Sequence, residues 1–221
     1  LIAQYGNVPE SAFVYSTYAM ILCGVVGNIE QGYQFAQASR KLLTRYNSKP
    51  VEGRTLMVLG NGVLHWKESI WDYLNSYLVA YKAALETGDL EFGMQAAHSY
   101  CFNIYFIGQE LHQVVKEMAH YEEIIVKLKV ATTLHFLRMY YQSVLNLSTP
   151  SDDPSLLQGT IYRESEMLAI HYEAKDRTSV ALLYFNKLLL AYLFEDYNRA
   201  LEYSKKAEEY FATITMSVKE G

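Results

Sequence analysis

Four prolines, Pro9, Pro50, Pro150 and Pro154, are the only ones in the chain, and each stands where other helix and strand breakers cluster. Proline inside a helix removes a backbone donor and clashes with the preceding turn. Confining it to breaks leaves long uninterrupted segments, and in those segments apolar residues recur with helical periodicity. A β-rich alternative needs short alternating strands bounded by Asn-Gly or Asp-Gly turns. The one Asn-Gly, Asn61-Gly62, has a continuous apolar run on one side and Trp66-Lys67-Glu68 on the other. The expectation is an all-α fold.

The candidate helices come in successive pairs: Ser11 to Val26 with Ile29 to Tyr46, Arg54 to Trp66 with Ser69 to Thr87, and Leu90 to Ile107 with Leu111 to Lys127. Val130 to Leu147 with Arg163 to Ala174, and Thr178 to Phe194 with Tyr197 to Phe211, complete about five antiparallel pairs. Short connections force paired helices antiparallel. The one long loop, Ser148 to Tyr162, is the best candidate for mobility, and its Ser151, Asp152 and Asp153 are candidates to cap a short turn.

The clearest internal echo is Gly27-Asn28-Ile29-Glu30-Gln31-Gly32 against Gly88-Asp89-Leu90-Glu91-Phe92-Gly93. The first glycine ends a helix, Asn or Asp caps the next, and a small residue five positions on lets two helices approach closely. Near the C-terminus, Glu195-Asp196-Tyr197-Asn198-Arg199-Ala200-Leu201-Glu202-Tyr203-Ser204-Lys205-Lys206-Ala207 resembles the second helix of a tetratricopeptide repeat. Ala200 and Ala207 stand where small size is needed. Phe106-Ile107-Gly108-Gln109-Glu110-Leu111 marks a weaker turn of the same kind, with Val114 where alanine is usual. The implied architecture is a tetratricopeptide-like α-solenoid, a right-handed curved stack of hairpins of uneven length.

Composition narrows the function classes. With 51% hydrophobic and 19% charged residues the chain is a folded globular one, not a disordered one. A net charge of -5 and basic clusters no longer than pairs such as Lys205-Lys206 give no field for phosphates, which excludes nucleic acid as the expected partner. Cys23 and Cys101 lie in apolar helical stretches without Cys-x-x-Cys spacing and read as buried thiols of a reducing, cytoplasmic setting. Ser11 to Ile29 carries no charged residue and approaches the length of a membrane span. Its Tyr15, Ser16, Thr17, Tyr18, Asn28 and two glycines favour a helix buried between neighbours, so no membrane partner is expected. The absence of a leading methionine at Leu1 suggests a piece of a longer protein.

A broader resemblance is carried by Ile21-Leu22-Cys23-Gly24-Val25-Val26-Gly27, Gly32-Tyr33-Gln34-Phe35, His65-Trp66-Lys67-Glu68, Glu86-Thr87-Gly88-Asp89-Leu90-Glu91 and Ser99-Tyr100-Cys101-Phe102. Asp176-Arg177-Thr178 and Tyr184-Phe185-Asn186-Lys187-Leu188 add to it. Together these fragments resemble the helical region of large bacterial, chiefly cyanobacterial, multi-sensor signalling kinases. That region lies between a P-loop ATPase and a GAF sensor. The resemblance implies that residues 1–221 form a single helical repeat domain of such a parent, binding protein segments or neighbouring domains and transmitting signals without chemistry of its own. After Phe211 the family continues into further helices, whereas this sequence stops at Gly221. An alternative from another class is a small-ligand sensing regulatory domain, using an aromatic pocket between hairpins.

Catalytic constellations fail in turn. There is no Gly-x-x-x-x-Gly-Lys-Ser/Thr phosphate cradle, and Gly60-Asn61-Gly62 lacks the third glycine of a dinucleotide fingerprint. Glu117-Met118-Ala119-His120 is a lone Glu-x-x-His, short of a carboxylate di-iron set. Acidic residues at 122–123, 164–173 and 208–209 mostly stand beside Lys or Arg at helical spacing, as on a solvated face. The expectation is no enzyme, no cofactor and no metal.

What remains distinctive is the aromatic content: 20 tyrosines, 9 phenylalanines and 2 tryptophans. Tyrosine serves both helix packing and peptide grooves, since it pairs an apolar body with a polar tip. By analogy with tetratricopeptide stacks, the first helix of each pair lines the groove, which selects His98, Phe102, Tyr105, Tyr140, Phe185 and Tyr192. For each of them a purely structural role in helix packing is the stronger reading. Leu201, Tyr203, Tyr210 and Phe211 cannot all face one preceding helix, so a homodimer through the C-terminal end is expected.

Overall fold

The structure, a computed structural model, describes the backbone of residues 6–219 and the side chains of residues 6–211; both chain ends, Leu1 and Gly221, lie outside that range. All its regular elements are helical, and the one β-type contact among the described residues is an isolated bridge between Gln158 and Arg163. Among the described residues no helix is long and apolar enough to cross a membrane. The chain divides into two compact units, Leu1–Ile107 and Gly108–Gly221. The division falls inside the third expected pair.

In the first unit, α1 (Ser11–Ile21) runs into a π-helical turn (Leu22–Val26) and is followed by α2 (Ile29–Tyr46) and α3 (Lys49–Gly62). A 3-10 turn (Leu64–Trp66) leads to α4 (Ile70–Thr87) and α5 (Leu90–Phe106). α3 starts five residues before the expected Arg54 because Pro50 occupies its first turn, where a missing N–H costs nothing. Helix α3 lies against both α1 and α5, while α2 packs on α1, and α4 on α3 and α5. The result is one row of α1, α3 and α5 backed by α2 and α4. Leu59, Leu64 and Tyr77 are enclosed at its centre, with Ala19, Cys23 and Ala36 from the first hairpin.

The glycine turns explain how the helices approach. Gly27 (φ 77°) and Gly88 (φ 76°) hold left-handed conformations that end a helix at little steric cost. Five residues on, a Cβ at Gly32 would lie 2.4 Å from Cys23 Sγ and 2.9 Å from the Ala19 carbonyl. At Gly93 it would lie 3.2 Å from Ala84 Cβ. Asn28 caps α2 by accepting from Gln31 N at 3.1 Å. Asp89 departs from that pattern: its side chain makes no cap, because Arg54 takes the carboxylate.

In the second unit, α6 (Leu111–Leu128) and α7 (Ala131–Ser148) form a hairpin, and α7 also lies against α9 (Arg177–Leu193). The short α8 (Glu164–Glu173) rests on α9, and α10 (Tyr197–Lys219) packs along α9. The turns end in left-handed Lys129, Lys175 and Glu195, with Asp176 and Asp196 accepting from Ser179 N and Arg199 N. Ala200 and Ala207 are buried, as their small size requires.

The long loop is tied down rather than loose. Residues 149–163 form a strap whose Leu157 and Tyr162 are buried in the unit's core with Met139, Leu183 and Leu190. Asn146 donates to the carbonyls of Pro154 (3.0 Å) and Leu156 (2.8 Å), and Glu164 accepts from Leu157 N at 3.1 Å. Asp153 caps the turn by accepting from Ser155 N at 3.2 Å. A loop rich in Thr, Pro, Ser and Asp reads as mobile because its anchors, Asn146 and Glu164, lie outside it.

Candidate functional site

The six residues expected to line a groove fall on α5, α7 and α9. On α5, His98 and Phe102 are one helical turn apart with ring centroids at 6.5 Å, and Phe102 continues to exposed Phe106 at 4.7 Å. Tyr105 points away from exposure: it is buried, its hydroxyl has no hydrogen-bond partner among the described residues, and burial pushes its pKa up to about 12. In the second unit Tyr140 is buried and Phe185 half-buried, whereas Tyr192 is 60% exposed against the ring of Tyr197 at 5.9 Å. The first unit thus presents a short His98–Phe102–Phe106 aromatic run, and the second an aromatic pair at the tip of the α9–α10 hairpin. Tyr105 and Tyr140 serve packing.

Around the α5 run the row of helices is cross-linked by polar side chains. Asn61 on α3 donates to Ser99 Oγ on α5 at 3.0 Å and accepts from the Tyr77 hydroxyl at 2.9 Å. Arg54 on α3 donates to Asp89 at 2.8 Å while its guanidinium lies 5.4 Å from the ring of Phe13 on α1 and 5.2 Å from that of Phe92 on α5. The sequence fragments around Tyr33 and Glu68 also meet in space. Glu68 accepts from Arg40 at 2.7 and 3.1 Å and from Tyr33 at 2.9 Å, so α2 grips the α3–α4 connection.

The second unit holds a denser polar cluster that sequence reading passed over. His171 on α8 is 1% exposed. Its Nε2 is 3.1 Å from the Tyr162 hydroxyl on the strap, its Nδ1 is 3.9 Å from Asp176 Oδ2, and its ring lies 5.5 Å from that of His135 on α7. Burial lowers the pKa of both imidazoles and raises that of Tyr162. Lys187 on α9 donates to Glu164, a buried ion pair beneath the ring of Tyr203 at 4.8 Å. Residues scattered over five chain segments carry no local motif, which is why spacing alone could not find them.

Two clefts open beside this cluster. One of about 590 Å³ lies between the strap (Leu156, Gln158) and α8 (Leu168, Ala169). The other, about 450 Å³, is lined by His171, Tyr172, Arg177 and Tyr210 among others, with the Arg177 guanidinium 5.4 Å from the Tyr210 ring. Among the described residues no group of three His, Cys, Asp or Glu side chains is placed to hold a metal ion.

At the C-terminal end, the four residues expected to share an apolar face divide. Tyr203 and Tyr210 pack on Tyr184 with ring centroids at 6.3 and 6.4 Å, whereas Leu201 is 59% exposed and Phe211 is also exposed. Tyr192, Leu193, Phe194 and Tyr197 extend the exposed patch around the hairpin tip. Comparison with protein-family models, with curated proteins and with solved structures finds no match for this chain.

Proposed function

We propose that the chain is a non-catalytic, tetratricopeptide-like scaffold that binds protein segments or neighbouring domains and transmits signals within a multi-domain signalling kinase, in a cytoplasmic setting. The observation that carries this reading is the row of α1, α3 and α5 backed by α2 and α4, closed by small residues at Gly32 and Gly93. A layer of parallel first helices presents one continuous face, the arrangement by which helical repeats receive extended partners. Its aromatic run, from half-buried Phe102 to exposed Phe106, supplies the rigid apolar contacts such faces use. The identity of the parent rests on the sequence resemblance alone.

The test is co-purification of the chain with the isolated P-loop ATPase and GAF modules of such a kinase. Retention of either module, weakened by Phe106→Ser, supports the scaffold; binding of neither counts against it. Pure protein is expected to show no ATP turnover. A second reading, a small-ligand sensing regulatory domain, is favoured by the cleft of about 450 Å³ between Tyr172, Tyr210 and Arg177. Saturable binding of an aromatic probe there, lost in Tyr210→Ala, would select it.

A further inference from the structure

We propose that the His135–His171 pair is an acid-sensitive latch, which holds the 149–163 strap onto the second unit while both rings are neutral and frees it when the pair takes up a proton. The geometry sets the polarity of the device. With its Nδ1 proton toward Asp176, the neutral His171 ring offers Nε2 as acceptor to the Tyr162 hydroxyl at 3.1 Å. Tyr162 is buried, so that hydroxyl has no solvent to turn to. Protonation converts Nε2 from acceptor to donor, and the Tyr162 proton then loses its acceptor in a place where an unmade hydrogen bond is costly.

The surroundings oppose the added charge. From α7, His135 faces the ring at 5.5 Å and Arg138 bears on His135. Asp176, from the α8–α9 turn, is the carboxylate that favours the charged form, but it is 3.9 Å away and already accepts from Ser179 N and Oγ. Lys175 and Arg177 flank it in the same turn, Tyr172 precedes it on α8, and Glu209 and Tyr210 reach the neighbouring cleft from α10. On α9, Lys187 is engaged by Glu164. Burial is the leading cause of the lowered affinity of both rings for protons. The opened form, with ordinary imidazoles, therefore binds more protons, and the latch is fully closed above the ordinary histidine range and weakens as pH falls through it.

Release has a structural consequence. The strap supplies Leu156 and Gln158 as one wall of the cleft whose other wall is α8, so unlatching Tyr162 opens that cleft of about 590 Å³ and bares the Leu157 site. The proposal stands on this cluster alone and does not depend on the scaffold reading.

Amide hydrogen exchange of the whole chain tests it, read at Leu157, Gly159 and Glu164, whose N–H groups bond to Glu164 Oε2, the Tyr162 carbonyl and the Leu157 carbonyl. After correction for intrinsic exchange, protection at these amides is expected to fall about tenfold or more between about pH 7.5 and about pH 5, as a latch built on ordinary-range histidines requires. In His171→Gln, which keeps an acceptor for Tyr162 and leaves only His135 to titrate, the loss of protection on acidification should be much smaller. Protection unchanged by acid in the natural chain, or the same loss in His171→Gln, overturns the proposal. Should that variant not fold, the imidazole signals of the natural chain decide. Titration below the ordinary histidine range in step with the strap amides supports the latch, and titration without any change in those amides overturns it.

Discussion

Arg54 and Asp89 form an ion pair that ties a helix end to the middle of the helical row: the guanidinium donates to Asp89 Oδ2 at 2.8 Å and is flanked by the rings of Phe13 and Phe92. Three helices and the Gly88 turn thus converge on one side chain. Arg54→Lys keeps the charge but loses the planar fork that both stacks on the rings and meets the carboxylate. We expect it to cost about 1 to 2 kcal/mol, an effect read as a lower denaturation midpoint with an unchanged m-value. Asp89→Asn, which retains an oxygen for Arg54, should cost less.

The two halves of the glycine echo should respond differently to alanine. At Gly32 the new methyl would sit 2.4 Å from Cys23 Sγ and 2.9 Å from a backbone carbonyl that cannot step aside, so Gly32→Ala is expected to destabilise by about 1 to 3 kcal/mol. Gly93→Ala meets Ala84 Cβ at 3.2 Å and the Tyr81 carbonyl at an ordinary 3.7 Å, and should be milder. Gly24 faces open space within the π turn, and Gly24→Ala should raise stability by up to about 1 kcal/mol through lower unfolded-state entropy. Thermal melts of the three variants check the ranking. Ala200→Trp, overpacking a buried contact between α9 and α10, belongs with Gly32→Ala in sign and size.

What the sequence makes legible follows from which interactions are local. Helix extents and the left-handed turn glycines are written in spacing of a few residues, and Gly27, Gly88 and Gly108 all hold the conformation their neighbours imply. The start of α3, at Lys49 and not Arg54, is not legible because proline ends some helices and begins others. The division at Ile107 and the anchoring of the strap depend on contacts between residues far apart in the chain. Gln142 and Tyr162 illustrate this: the Tyr162 amide donates to Gln142 Oε1 at 3.4 Å across a loop of otherwise unremarkable polar residues. Groove residues were the least legible, because Tyr105 and Tyr192 look alike in sequence while one is buried and the other exposed.

His98 should behave as a neutral residue throughout the physiological range. Burial on α5 lowers its pKa to about 4, well under the ordinary imidazole value near 6.5. The unfolded chain therefore binds a proton that the folded one refuses, so the first unit is expected to lose stability as pH drops below about 6.5, and to stop losing it near the folded value. His98→Phe removes that slope and keeps the ring stack with Phe102. Chemical denaturation of both forms between about pH 7.5 and about pH 4.5 checks it. Equal slopes in the two would show that His98 binds its proton equally well in the folded and unfolded chain.

The exposed tip of the α9–α10 hairpin is expected to make the protein self-associate. Tyr192 and Tyr197 are each 60% exposed, Leu201 59% and Leu193 50%, and they share one end of a hairpin with Phe194. Contiguous apolar surface of this kind is rare on monomers unless something covers it. Tyr203 and Tyr210 are already committed to Tyr184, so they cannot join the contact without breaking the α9–α10 packing. The interface must therefore centre on Tyr192, Tyr197 and Leu201 and not on the full α10 face that the sequence indicates. Sedimentation of the natural chain should reveal a concentration-dependent dimer. Tyr192→Ser with Leu201→Ser should return it to monomer with no loss of helix content, whereas Tyr203→Ser should weaken folding before it weakens association. A natural chain that stays monomeric at all concentrations, or a dimer indifferent to the double substitution, would place the contact elsewhere or abolish it.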